Sequence, residues 1–232
     1  MKSPLIIPIP DYLQTTYWWA YLHPRAVQLF ERQWLVNLIL WGNFARLRDA
    51  ALDELGTVID GRVLQIACVY GNLTEYLVRR LGPWGSLDVV DVAPIQIGNL
   101  HAKLKTQQTD TRRVTLYQQD ASDLQFEAAS YNAVLLFFLL HEQPLDVRRQ
   151  TIAEALRVTR PGGKLVFVDY HRPSRWNPLR YLMVPILTLL EPFAMDLWRG
   201  QITDWLPPDA PITHVSKQTC FGGLYQKVVI TR

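Results

Sequence analysis

The stretch VLQIACVYGNLT, Val63 to Thr74, decides the fold. Val63 to Ala67 is a short apolar run of the kind that forms a strand, and a helix begins near Asn72. A strand that enters a helix through so tight a turn presents backbone N–H groups to a ligand, usually through a G-x-G pattern. Here the turn reads Ala67-Cys68-Val69-Tyr70-Gly71, and Gly71 is the one glycine kept. Three readings are open: a cofactor site, a decayed site, or a site altered for different chemistry.

Working outward, short apolar runs alternate with helical stretches. Ser86 to Asp91, Arg113 to Tyr117, Ala133 to Leu140 and Lys164 to Asp169 read as strands. Helices fall near Tyr76 to Arg80, Ala93 to Gln107 and Leu145 to Thr159, the last meeting a Pro161-Gly162-Gly163 turn. Strands joined by crossover helices predict a parallel, doubly wound sheet. Ile212 to Ser216 and Leu224 to Thr231 are expected to pair as a hairpin at its edge. The expected fold class is therefore α/β, a Rossmann-like, mostly parallel seven-stranded sheet with helices on both faces. Upstream, Asp11 to Leu55 shows helical spacing, giving a helical extension or lid over 1–57 before the main domain over 58–232.

The segment from Trp176 to Arg199 is different in kind. Leu182, Ile186, Leu189, Phe193 and Leu197 share one helical stripe, and Pro185, Pro192, Glu191 and Asp196 argue against a bilayer span. It is an amphipathic insertion that packs over the site or dips into a membrane face.

The chain has 232 residues, 49% hydrophobic and 19% charged, which suits a globular α/β protein rather than a disordered one. A net charge of +3 without a basic run gives no case for nucleic acid, though it suits an anionic membrane surface. Cys68 and Cys220 lie far apart, so neither a disulfide framework nor a zinc motif is expected, and a reducing cytosol fits. The start, MKSPLIIPIPDYL, is too broken by proline for a secretory signal. Eight Trp and ten Tyr, many near the two ends, suit either a filled core or a wet–apolar boundary.

In an open parallel sheet, ligands sit beyond the carboxyl ends of the strands. Asp91 ends the second strand, Asp120-Ala121 follow the third, and His141-Glu142 follow the fourth. An acid after strand two can accept both hydroxyls of a ribose, and one after strand three the exocyclic amine of adenine. Together they form an adenosine signature.

At VLQIACVYGNLTEYL, VVDVAPIQIGNLHAKL, VTLYQQDASDLQF, YNAVLLFFLLHE and RVTRPGGKLVFVDY the chain resembles the class I S-adenosylmethionine-dependent methyltransferases, over residues 61 to 170. With DYLQTTYWWAYLHP and FERQWLVNLILWGNFARLRDAALDEL added, it resembles the RquA family of rhodoquinone biosynthesis proteins. That resemblance implies conversion of ubiquinone to rhodoquinone, a ring methoxy group giving way to an amino group. S-adenosylmethionine is then the amino donor and manganese (Mn2+) is required. A conventional quinone or phenol methyltransferase is the alternative, and a catalytically silent quinone-binding protein a third reading.

The resemblance places cofactor contacts at Gln65, Ala67, Val69, Tyr70, Gly71, Asp91, Val92, Asp120 and Ala121. Methyltransferases usually carry an acid at the position of Gln65 and glycines at those of Ala67 and Val69. Removing a carboxylate lowers the pKa of a nearby ammonium, and only the free amine is a nucleophile. Gln65 and Tyr70 are thus expected to take part in catalysis with His141, either a general base or a metal ligand. His141, Glu142, Asp169 and His171 are the candidate manganese ligands. Tyr17, Trp18, Trp19 and Tyr21 are either a packing cluster or the quinone's lodging. A substrate with an isoprenoid tail places the enzyme peripherally, on the cytoplasmic face of the inner membrane.

Overall fold

Strand β1 (Arg62–Ile66) lies between β2 (Ser86–Asp91) and β4 (Tyr131–Phe137), parallel to both. Every residue of β1 after Arg62 is buried, as are five consecutive residues of β4. Successive strand residues face opposite ways, so unbroken burial means that both faces of the sheet are covered. The structure is a computed structural model describing residues 7–107 and 110–232. The first six residues of the expected extension, and with them part of the start judged unlike a secretory signal, lie outside the described residues.

The sheet has seven strands in the order β3-β2-β1-β4-β5-β7-β6. Here β3 is Val114–Gln118, β5 Thr159–Tyr170, β6 His214–Cys220 and β7 Tyr225–Thr231. Strands β1 to β5 run parallel, and β7 joins antiparallel to β5 and to β6. The expected class and the edge hairpin are both present. Strand order reverses between β1 and β4, which sets the ligand crevice at their carboxyl ends.

Two strand boundaries differ from expectation. Strand β4 stops at Phe137 because Phe138 takes φ +53, a left-handed turn that leads into a short 3-10 helix, Leu140–Glu142. Strand β5 begins at Thr159, before the expected turn. Thr159 pairs with Tyr131 and Lys164 with Ala133, so Pro161-Gly162-Gly163 survives as a bulge inside the strand.

The N-terminal helical region is broken into α1 (Asp11–Thr16), a π-helical turn (Trp18–Leu22), α2 (Pro24–Phe30), α3 (Gln33–Ile39) and α4 (Phe44–Leu55). Of these, α4 buries Phe44, Leu47, Ala51 and Leu52 in the core, and Lys227 from β7 reaches Ala50 O at 3.3 Å. Helix α4 therefore packs with the sheet, within the stretch read as extension. Helices α5 (Leu73–Arg79), α6 (Pro94–Thr106) and α7 (Leu145–Val158) are the crossovers.

The segment over 176–199 forms α8 (Leu179–Leu190) and α9 (Asp196–Arg199). The expected stripe is divided between solvent and core, with Leu197 buried. Helix α8 packs through Met183 and Leu187, whereas Leu182, Ile186 and Leu189 are exposed.

Candidate active site

The turn after β1 is held by its neighbours rather than by glycine. Ala67 adopts φ +74, a region that glycine enters at lower cost, and its N–H donates to Val90 O at 2.8 Å. The Cys68 N–H donates to Asp91 Oδ2 at 2.7 Å, and the Ala93 N–H to Asp91 Oδ1 at 2.9 Å. Asp91 thus joins the turn to the start of α6. Burial raises its pKa to about 6, against the lowering pull of those two hydrogen bonds.

Gly71 is needed for its shape. It has φ +83, and a Cβ there would meet Phe44 Cζ at 2.9 Å and Gln33 Oε1 at 3.2 Å. Gly71→Ala should cost about 1–3 kcal/mol in strain and crowding. That corresponds to a Tm lower by roughly 2–10 °C in a thermal melt. A Tm equal to that of the parent would show that the turn relaxes freely.

Gln65 is placed differently from expectation. It is fully buried and stands outside the cavity wall. Its Nε2 donates to Ala67 O at 2.9 Å, and Thr74 Oγ1 donates to its Oε1 at 3.0 Å. The amide pins the turn from within and touches no ligand-facing surface, because both its polar ends are already engaged. Gly71 also lies outside the wall, backed against α4.

Ala67, Val69, Tyr70, Asp91, Val92, Asp120 and Ala121 do line a cavity of about 190 Å³. Asp120 Oδ1 is occupied by the Ser122 N–H at 2.8 Å and the Ser122 hydroxyl at 2.7 Å. The Tyr70 ring is sandwiched between Tyr21 (5.8 Å, 8°) and Phe30 (5.9 Å, 24°). Its hydroxyl donates to Ala20 O at 2.7 Å and accepts from Gln96 Nε2 at 2.8 Å. The Tyr70 side chain of this turn therefore meets the N-terminal helices.

A clamp of Glu31, Asn99 and Lys103 holds the same turn from behind. Glu31 accepts from the Gly71 N–H at 3.2 Å and from Asn99 Nδ2 at 2.7 Å, and pairs with Lys103 at 2.7 Å. Lys103 also donates to Gly71 O at 2.6 Å. These residues come from two helices far apart in sequence, and no local pattern marks them.

At the end of β4, His141 Nδ1 lies 2.9 Å from Asp169 Oδ1. Asp169 also accepts the backbone N–H groups of Leu140 (2.9 Å), His141 (3.3 Å) and Tyr170 (2.7 Å). The imidazole is fixed by Nδ1, and Nε2 sits 3.7 Å from Glu142 Oε1 and 3.9 Å from Glu191 Oε2. Tyr21 donates to Glu142 and so links the N-terminal region to β4. Burial pulls the His141 pKa down, but Asp169, Glu191 and Glu142 outweigh it and raise the value to about 9. Burial also raises Glu142, to about 8, and Glu191. The Arg148 guanidinium, fully buried, donates to Leu140 O, Gln143 O and Phe193 O at 2.8, 2.8 and 2.9 Å. It fastens the His141 turn to the chain that follows Glu191. Sequence reading missed Glu191 as a site residue, since it used that acid only as an argument against a bilayer span.

Of the four expected metal ligands, His141, Glu142 and Asp169 lie side by side, but the four do not form one set. Asp169 is spent on His141 and three N–H groups, and His171 Nδ1 faces Gly223 O at 2.8 Å. Among the described residues no group of three His, Cys, Asp or Glu is arranged to hold a metal ion. The residues present do not fit a resident manganese. Of the aromatic cluster, Trp19 and Tyr21 line the cavity. Tyr17 is buried beside Tyr21 and Phe193 as packing, and Trp18 is 52% exposed.

Comparison with known proteins agrees with this geometry. The family described as "Methyltransferase domain" matches residues 63–163, from β1 to the bulge of β5. An uncharacterized methyltransferase of Synechocystis is 30% identical over 159 residues, 68% of each chain. A demethylmenaquinone methyltransferase of Tropheryma whipplei is 28% identical over 193 residues, 80% of this chain and 76% of that one. A solved S-adenosylmethionine-dependent methyltransferase from Aquifex aeolicus shares the fold with a TM-score of 0.57 at 17% identity, covering 90% of this chain and 97% of that one. With the strand order, the turn after β1 and the acid ending β2, these matches show that the chain belongs to the class I S-adenosylmethionine-dependent methyltransferase superfamily.

Proposed function

We propose that the protein converts ubiquinone to rhodoquinone, replacing a ring methoxy group with an amino group. The observation that carries this reading is the locked Gln65 amide. The position at which methyltransferases keep an acid for the cofactor's ammonium offers none here, and both polar ends of its replacement are engaged inside the protein. Without that carboxylate the amine is more readily deprotonated.

S-adenosylmethionine, when bound, supplies the amino group. Asp91 would take its ribose hydroxyls and Asp120 its adenine amine, since both acids line the cavity. Val69 and Tyr70 shape the end at which the amine lies, and Tyr21 and Trp19 bound the space for the quinone ring. His141 Nε2, aimed by Asp169, accepts the proton of the attacking nitrogen. In this exchange a C–N bond forms at the ring carbon and its C–O bond to methoxy breaks. The proton taken at Nε2 leaves with the methoxy oxygen as methanol; a base would then take a Cβ proton from the donor's carbon chain, its Cα–N bond would break with the nitrogen taking that proton, and the chain would leave as the 2,3-unsaturated acid.

The similarity to a demethylmenaquinone methyltransferase over 80% of the chain favours a second reading, methyl transfer to a quinone ring. There His141 would instead take a proton from the ring or its hydroxyl. Incubation with S-adenosylmethionine and either ubiquinone or a quinol with a free ring position, followed by mass analysis, tests the choice. Product that has lost methoxy and gained an amine supports amination; product carrying one more methyl group supports the second reading.

A further inference from the structure

We infer that helix α8, with the exposed edge of α3, docks the protein onto a bilayer containing anionic lipid. The helix uses only Met183 and Leu187 for the core. Its outward positions include Leu182, Val184, Ile186 and Leu189, the last 81% exposed. A helix facing water normally carries charges on such a face, and a contiguous apolar surface marks an interaction site. The helix is too short to cross a membrane; among the described residues no helix is long and apolar enough. An interfacial position, parallel to the surface, is the geometry left for it.

Charge identifies the occupant. Arg172 and Arg175 are exposed beside α8 and Arg180 partly so, and no Asp or Glu occurs between Arg172 and Leu190. Among the described residues none of these arginines has an acidic partner within ion-pair distance. Apolar side chains flanked by arginine and by exposed Trp176 match lipid chains below anionic headgroups.

Position gives the face a purpose. Ile39, 41% exposed on α3, also lines the cavity, and its neighbours Trp34 and Leu38 are exposed. Glu191, the residue directly after α8, lines the same cavity. Both apolar surfaces thus run to the rim of one cavity, so a lipid-borne substrate would enter without crossing water.

The test is co-sedimentation of the full chain with vesicles of phosphatidylcholine, alone or mixed with phosphatidylglycerol. Binding to the mixture should be at least roughly tenfold tighter and should weaken with added salt. Exchanging Leu182 and Leu189 for aspartate should reduce it by roughly tenfold or more, because two exposed apolar groups are lost from the lipid phase. Exchanging Arg175 and Arg180 for glutamine should remove the preference for the anionic mixture. All these side chains face solvent, so unchanged melting curves verify folding. Equal binding to both vesicles, or variants that bind as tightly as the parent, would overturn the inference. So would a Leu189→Asp change that alters self-association in sedimentation but not vesicle binding. No quinone or cofactor is present, so the result stands apart from the fate of the amination reading.

Discussion

Turnover should fall by about 10²- to 10⁴-fold when His141 is replaced by glutamine, with cofactor affinity held within a few-fold. The imidazole stands on the cavity wall with Nδ1 fixed by Asp169, while Asp91 ends β2 and Asp120 follows β3. The pH dependence carries the same claim. A base acts as neutral imidazole, and the carboxylates around His141 raise its pKa to about 9. The rate should therefore climb as pH rises towards 9 and level above it. Asp169→Asn removes the nearest raising charge, so the climb should move to lower pH on a much reduced maximum. Stability runs the other way. The folded pKa exceeds the ordinary 6.5, so the stabilisation from the bound proton is complete below 6.5 and is lost as pH passes through about 9. Rate and Tm measured across that window should move in opposite directions. A flat rate profile, or a glutamine variant that turns over at the parental rate, would remove His141 from the chemistry.

Asp91→Ala should weaken S-adenosylmethionine binding by about 10²- to 10³-fold by calorimetry. The variant loses charge-assisted hydrogen bonds to the ribose and leaves the Cys68 and Ala93 N–H groups without their acceptor. These two losses act together, since the carboxylate that would grip the ligand also shapes the turn beside it. Asp91→Asn retains one oxygen acceptor and should fall between the two. Because burial raises this carboxyl to about 6, affinity in the parent should decline as pH falls through that value. Alanine binding as tightly as aspartate would mean that the cofactor lies elsewhere.

The frame of this protein was legible because its signals are local. A strand, a tight turn and a helix at residues 63–74, repeated crossovers, and acids at strand ends all follow from short windows of sequence. The extent of β4 was not: Phe137 and Phe138 look alike as letters, and only the φ of +53 at Phe138 ends the strand. The direction of Gln65 was hidden for a related reason. In a strand covered on both faces every residue is buried, so alternation cannot say which side chain reaches a ligand. The metal quartet failed because side chains that meet need not be free to bind a metal; Asp169 is spent on His141 while His171 turns to the Gly223 carbonyl. Glu31, Lys103 and Glu191 meet the site only through tertiary contact. On α8 the spacing correctly gave an apolar stripe, but the core selected Met183 and Leu187 and left that stripe outside.

The most direct test of the central claim follows atoms from the cofactor into the quinone. The chain, with ubiquinone embedded in vesicles, is supplied with S-adenosylmethionine labelled either at the amino nitrogen or at the methyl carbon. Amino transfer predicts a product that carries the nitrogen label, has lost a methoxy group and holds no methyl label. A product that holds the methyl carbon and an intact set of methoxy groups would contradict it.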